Sequence, residues 1–209
     1  MKKNKKEFKP CDLVIFGVLG DLSTRKLLVC LYQLDAANLL EKDTKIIGVD
    51  RFAGEAALLV ETAQNSFDKF LGEAVKPEVW QRFSARLNYL QLDLTKTEDY
   101  QQLNQYIDKK NRIMINYFSV PPSLFKVICQ GLKQSGTLTE ESRMVMEKPI
   151  GHDLASSKEI NDAVAGVFTG DQVCRIDHYL GKETVLNLLA LRFANSIFIN
   201  NWDHNAIDH

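Results

Sequence analysis

Nine consecutive residues, Arg175-Ile176-Asp177-His178-Tyr179-Leu180-Gly181-Lys182-Glu183, place a carboxylate, an imidazole, a phenol and an ammonium group within six positions. A core-facing segment would instead repeat apolar residues about every second position in a strand, or about every 3.6 positions in a helix. Together the four groups can hold a phosphate and move a proton. A polar loop could have the same composition, so the elements around the run must decide what it does.

Short apolar runs alternate with longer amphipathic stretches along the chain. Residues 13–16, 46–49, 87–92, 113–118, 144–146 and 173–176 read as strands, and residues 22–40, 55–71, 97–109, 123–134 and 154–167 read as helices between them. The strand candidates read as apolar rather than alternating, as in a parallel sheet covered on both faces. The expected fold is therefore α/β, a Rossmann-like, doubly wound, mostly parallel sheet, with a C-terminal helical extension. That extension, about residues 182–198, carries Val185, Leu186, Leu188, Leu189, Leu191 and Phe193 most of the way round its cylinder, so it needs cover on nearly every side. Residues 136–141 and 170–172 read as turns, and no repeat or low-complexity linker interrupts the alternation.

With 209 residues and 45% apolar content, the chain can bury one sizeable core. Its 26 basic and 27 acidic side chains leave a net charge of −1, which predicts no nucleic-acid and no membrane partner. Lys2, Lys3, Lys5, Lys6 and Lys9 make residues 1–10 a basic, disordered leader; no apolar signal-type stretch follows them, and no window approaches a membrane span. Cys11, Cys30, Cys129 and Cys174 are isolated, without the close pairs of a zinc or redox site, and this points to no metal and to a reducing cytoplasm.

The first strand runs directly into Gly17-Val18-Leu19-Gly20-Asp21-Leu22. Glycine permits a tight turn and close backbone approach, and a following helix start offers amide donors to a pyrophosphate. Dinucleotide binding is expected, although the middle glycine of the full fingerprint is replaced and Asp21 could serve only to cap the helix. The second strand ends in Asp50-Arg51, which supplies both an acid suited to the ribose 2′-hydroxyl of NAD and an arginine suited to the 2′-phosphate of NADP. An arginine fork on a phosphate contributes about 1.5–3 kcal/mol. Asp50 would repel that phosphate if it pointed inward. Arg25 and Lys26 add positive charge nearby and tilt the expectation to NADP, with NAD possible.

Gly17-x-x-Gly20-Asp21-Leu22 with Arg25-Lys26-Leu27-Leu28, then Glu147-Lys148-Pro149-Ile150-Gly151, then residues 175–183, in this order, resemble the glucose-6-phosphate dehydrogenase family. Asn187-Leu188-Leu189-Ala190-Leu191-Arg192-Phe193-Ala194-Asn195 followed by Asn200-Asn201-Trp202-Asp203 is similar to its enteric bacterial members. The resemblance runs from about residue 11 to the end. It implies an NADP-dependent oxidoreductase that converts glucose 6-phosphate to 6-phosphogluconolactone at the entry to the oxidative pentose phosphate pathway. It also implies an NADP-binding domain over residues 11–181 and the start of a substrate and dimerisation domain over residues 182–209.

The resemblance further implies roles for single residues. His178, Tyr179 and Lys182 would hold the sugar's 6-phosphate, and Asp177 would pair with the catalytic histidine. Lys148 would stand between cofactor and substrate, in a catalytic as well as a binding role. Gly17, Val18, Leu19, Gly20, Asp21, Leu22, Arg51, Asp93 and Leu94 would surround the cofactor. Leu19 stands where many members have a serine, threonine or lysine, so one phosphate contact is expected to be lost. The family's general-base histidine lies downstream of Asn200-Asn201-Trp202-Asp203, and His152, His178, His204 and His209 do not occupy its position. The expectation is a chain truncated before that base and without the family's oligomer interface. A missing base lowers the rate by about 10²–10⁴, so such a chain binds its cofactor more readily than it turns over.

Overall fold

The computed structural model describes residues 9–148, 150–151, 153–177 and 183–195. All six expected strands form: β1 (Cys11–Phe16), β2 (Lys45–Asp50), β3 (Leu87–Gln91), β4 (Ile113–Phe118), β5 (Arg143–Glu147) and β6 (Val173–Ile176). They lie in one sheet in the order β3-β2-β1-β4-β5-β6. The pairs β1–β2, β1–β4, β2–β3 and β4–β5 are parallel, with Val14 opposite both Ile47 and Asn116. The order reverses between β1 and β4, and at such a switch point an open parallel sheet leaves a crevice at the carboxyl ends of its strands.

Alternation along the strands feeds two cores. Val14 and Phe16 of β1 face one core, together with Tyr100, Leu103 and the buried face of α4 (Phe125–Ser135). Ile15 faces the other, with α1 (Leu28–Ala36), α2 (Ala56–Phe70) and α3 (Pro77–Ser84). Helices on both faces explain why the central strands β1 and β2 read as nearly continuous apolar runs. α5 (Leu154–Ala165) starts at a capping box in which Asp153 accepts from the Ser156 amide at 2.7 Å.

The helices depart from expectation in three places. The first begins with Asp21 and Leu22, passes through a π-helical turn at Ser23–Leu27, and ends at Ala36 rather than residue 40. It stops there because Asn38 adopts a left-handed conformation (φ 55°) and the Leu39 amide returns to the Leu34 carbonyl at 2.9 Å. Residues 97–109, expected to be an α-helix, form a 3₁₀ helix over Thr97–Gln105, whose three-residue period sets Tyr100 and Leu103 on one buried face. α3 was not expected at all; Pro77 opens it, and Val79 and Phe83, four apart, fill the core.

Charged groups knit the opposite end of the sheet. Before β3, the buried Arg86 guanidinium pairs with Asp35 at 3.1 Å and donates to the carbonyls of Glu41, Lys42 and Thr44. Before β4, Arg112 reaches the buried Asp12 at 2.9 Å. Lys9 and Pro10, the last residues of the expected leader, are tied down by a Lys9–Glu141 ion pair at 2.7 Å and by the Ile113 amide on the Pro10 carbonyl at 3.0 Å. Residues 1–8 lie outside the described residues.

The chain divides into two compact units, one ending at Cys174 and one beginning at Arg175. In the second, α6 (Glu183–Ala194) leaves Leu188, Leu191 and Phe193 exposed. Among the described residues no helix is long and apolar enough to cross a membrane.

Candidate functional site

The glycine turn after β1 is held against the ends of two neighbouring strands. Gly17 adopts φ +79°, and a Cβ built on it would lie 2.5 Å from the Ser119 carbonyl oxygen and 2.7 Å from Val120 Cγ1. The amides of Gly17 and Val18 donate to the Val49 carbonyl at 2.9 and 3.3 Å, and the Gly20 amide donates to the Gly17 carbonyl at 3.0 Å. The buried Ser23 hydroxyl bonds the Gly17 carbonyl at 3.1 Å and Ser119 Oγ at 2.8 Å, so the turn, the π-helical segment and the end of β4 form one rigid corner. Val18 points into the core and is fully buried, its amide spent on Val49. Donors for an anion therefore come from the helix start at Asp21 and Leu22, whose first-turn amides have no intrahelical acceptor.

Two cavities of about 400 Å³ open at these strand ends. One is bordered by Gly17, Asp50, Arg51, Asp93, Leu94 and Thr95, with Val120, Pro121 and Leu124 across from them. The other is bordered by Gly20, Asp21, Leu22, Glu147 and Lys148, together with residues 118–122 and Phe125. The structure thus brings nearly all the expected cofactor residues of the first unit to one edge of the sheet. It adds the loop from Ser119 to Pro122. The sequence signal for that loop was its position after the strand at which sheet order reverses, which only the pairing of β4 with β1 discloses.

Asp50 and Arg51 part company at the end of β2. Asp50 turns inward: Oδ2 accepts from the Leu19 amide at 3.2 Å and Oδ1 from the Arg51 amide at 2.8 Å. Arg51 is exposed, with its guanidinium 5.2 Å from the Phe52 ring centroid. A further cavity of about 640 Å³ beyond it is bordered by Arg51, Phe52, Gln91, Asp93, Lys96 and Asp99. Beneath them the Tyr89 hydroxyl donates to the Phe52 carbonyl at 2.7 Å; burial, and then the Asp50 charge, push its phenol up to about 12. Asp93 accepts from the Thr95 hydroxyl at 2.7 Å and the Thr95 amide at 3.0 Å, and the hydroxyl bond first holds its carboxyl below the usual range.

At the end of β5, Glu147 accepts from the Tyr117 hydroxyl at 2.7 Å, which fixes the strand end that carries Lys148. Burial, and then the bond to Glu147, raise the Tyr117 phenol well above its ordinary value. Neither Tyr117 nor Glu147 stood out from sequence as a support of this site. Lys148 is exposed on the same cavity as the helix start. Asp177 is described, half-buried, in the second unit. His178, Tyr179 and Lys182 lie outside the described residues, as do Pro149 and all four histidines. No group of three or more residues suited to a metal occurs among the described residues.

The donor set fits a dinucleotide. A turn that a single Cβ would fill, a helix start facing the crevice, and a guanidinium at the end of β2 are the parts such a ligand needs.

Comparison with known proteins gives the same answer from another direction. A family model described as the NAD binding domain of glucose-6-phosphate dehydrogenase matches residues 14–187. The glucose-6-phosphate 1-dehydrogenase of Dickeya dadantii is 52% identical over 199 residues, covering 95% of this chain and 40% of that protein. That of Buchnera aphidicola subsp. Baizongia pistaciae is 45% identical, with coverage of 95% and 40%. The crystal structure of glucose-6-phosphate 1-dehydrogenase from Mycobacterium avium matches with a TM-score of 0.77 at 36% identity, over 95% of this chain and 42% of that one. A glucose-6-phosphate dehydrogenase in complex with its substrate glucose-6-phosphate matches with a TM-score of 0.79 at 33% identity, over 95% and 43%. The chain spans about 40% of the length of the curated relatives it matches. With most of its length inside that family's dinucleotide domain, and a glycine corner and strand-end crevice to match, the chain belongs to the glucose-6-phosphate dehydrogenase family.

Proposed function

We propose that this chain carries the NADP-binding part of a glucose-6-phosphate 1-dehydrogenase, which oxidises glucose 6-phosphate to 6-phosphogluconolactone at the entry to the oxidative pentose phosphate pathway. The observation that carries the reading is the crevice at the carboxyl ends of β1, β2 and β4, where Gly17, Arg51, Asp93 and Leu94 border one cavity and Gly20, Asp21, Leu22 and Lys148 border another. In this reading residues 11–181 form the dinucleotide domain and residues 182–209 open a substrate domain. Four free thiols suit a reducing cytoplasm.

Each group then has a physical task. The helix start at Asp21 and Leu22 faces the pyrophosphate, while Val18 and Leu19 shape the turn beneath it. Arg51 offers its fork to a 2′-phosphate, and Asp93 and Leu94 flank the adenosine. When bound, the nicotinamide supplies the hydride acceptor. Lys148 places an ammonium charge beside the sugar's reacting end, and Glu147, held by Tyr117, fixes the strand end from which it extends. His178, Tyr179 and Lys182 hold the 6-phosphate, and Asp177 orients the histidine that takes the C1 hydroxyl proton.

The test is a pair of titrations, with NADP and with NAD, followed by an assay for NADPH formed from glucose 6-phosphate. Arg51→Ala should weaken NADP by about tenfold, the loss of one charged hydrogen-bond pair, and leave NAD nearly unchanged. Equal loss for both cofactors would remove Arg51 from the 2′-phosphate. Binding without NADPH formation would make the chain a dinucleotide-binding module; no binding of either cofactor would overturn the reading.

A further inference from the structure

Arg25, expected from sequence to add positive charge beside the cofactor, borders neither cavity of the crevice. It borders a separate cavity of about 330 Å³ between the π-helical segment Ser23–Leu27 and the second half of α2. Its guanidinium lies 5.6 Å from the Phe70 ring centroid and 3.4 Å from Asp21, two contacts that keep it at the rim while leaving it exposed. Lys69 brings a second exposed cation to the same cavity and pairs with no acid among the described residues. Against these two cations the walls carry one carboxylate, that of Asp21, so the cavity is net positive.

Three hydroxyls complete the walls, and each has already given its proton away. Thr62 donates to the Leu58 carbonyl at 2.7 Å, the buried Ser66 to the Thr62 carbonyl at 2.7 Å, and Thr24 to the Gly20 carbonyl at 3.0 Å. What they still offer is lone pairs. A ligand that satisfies the cavity therefore carries an anionic group for Arg25 and Lys69 and hydrogen-bond donors for the three hydroxyl oxygens. Inorganic phosphate supplies mainly the first, an uncharged polyol only the second, and a phosphorylated polyol both. The cavity has the volume of a small-molecule site, and one of its walls is a π-helical turn, a departure from α-helix that is frequent at functional sites. We propose that it is a binding site for a small phosphorylated polyol of the sugar-phosphate class, distinct from the dinucleotide crevice. The phosphate lies between Arg25 and Lys69, and the hydroxyls of the ligand donate to Thr24, Thr62 and Ser66.

The test uses sorbitol 6-phosphate and inorganic phosphate as probes, titrated by calorimetry into the full chain and its variants, with thermal melts to show that each variant folds. Sorbitol 6-phosphate should bind with a dissociation constant below about 1 mM, and at least about tenfold more tightly than inorganic phosphate. Lys69→Gln should weaken both probes about tenfold, because both use the charge. Thr62→Val should weaken sorbitol 6-phosphate about threefold and leave inorganic phosphate unchanged, because only the polyol uses the hydroxyl oxygen. Lys182→Gln removes a charge from the stretch that holds the substrate's phosphate in the function proposed above, and it should leave the Lys69-dependent binding as it is. Binding that Lys182→Gln abolishes and Lys69→Gln does not would place the probe in the substrate site and overturn the proposal, without touching the dinucleotide reading. Inorganic phosphate binding as tightly as sorbitol 6-phosphate, an affinity that neither Lys69→Gln nor Thr62→Val changes, or no binding of sorbitol 6-phosphate at all would overturn it equally.

Discussion

At the scale of single residues, the corner at Gly17 is the most constrained point of the site. Its φ of +79° is unfavourable for any side chain, and its neighbour on the Cβ side is backbone: the Ser119 carbonyl, on a residue whose amide is bonded to Phe16. Gly17→Ala should therefore destabilise the chain by about 1–3 kcal/mol, read as a lower urea midpoint, and weaken NAD and NADP alike by at least about tenfold. Full affinity with lowered stability would mean that the turn shapes the fold and not the ligand. The need for this glycine could be read from the sequence, because a strand followed at once by Gly-x-x-Gly leaves few other conformations. The direction of Asp50 could not. Sequence puts an acid at the end of β2 but not the amide it faces, and that amide belongs to a residue 31 positions earlier. Nor could sequence tell that Val18 lies beneath the turn rather than at the crevice. Its side chain is fully buried because the turn folds back over the second core.

At the scale of elements, the six strands were legible because apolar runs between turn residues have one reading in an alternating chain. The 3₁₀ helix at Thr97–Gln105 and the short α3 were not. The first has an amphipathic pattern that fits either helical period, and the second spans only two turns. The 3₁₀ helix nonetheless positions the site. The Tyr100 hydroxyl donates to the Leu94 carbonyl at 3.0 Å, and its ring lies against α4, where a Cβ on Gly131 would come within 2.5 Å of it. Two effects of Gly131→Ala oppose each other. Alanine favours a helix interior by about 1 kcal/mol over glycine, while overpacking against a fixed ring costs about 1–3 kcal/mol. The ring has no room to retreat, since Tyr100 is fully buried and stacked on Phe16 at 6.2 Å. The clash should win. Gly131→Ala is expected to lower the melting temperature by about 2–8 °C and to weaken dinucleotide binding through the displaced Leu94 loop. A raised melting temperature would show that helix propensity decides and that the ring yields.

At the scale of the whole molecule, the two cores lie on opposite faces of one sheet, so opening either exposes the strands that back the other. The cysteines can report on this. Cys30 and Cys174 are exposed, Cys11 is half-buried beside Thr44, and Cys129 is buried in the core between α4 and the sheet. Only a thiolate reacts, and burial pushes the Cys129 thiol up to about 12, while burial also raises Cys11. A raised thiol pKa means a smaller reactive fraction at any pH below it, so the protected state should persist across the neutral range. With a thiol reagent in native buffer, Cys30 and Cys174 should react first, Cys11 more slowly, and Cys129 only as fast as the molecule unfolds. The denaturant dependence of Cys129 labelling should then match that of the far-ultraviolet circular dichroism transition. A dinucleotide at about one hundred times its dissociation constant stabilises the state it binds by about 2.7 kcal/mol, which should slow Cys129 labelling about a hundredfold and leave Cys30 unaffected. Labelling of Cys129 at the rate of Cys30, or a rate that the dinucleotide does not change, would show that the α4 face opens on its own and is not coupled to the crevice at the strand ends.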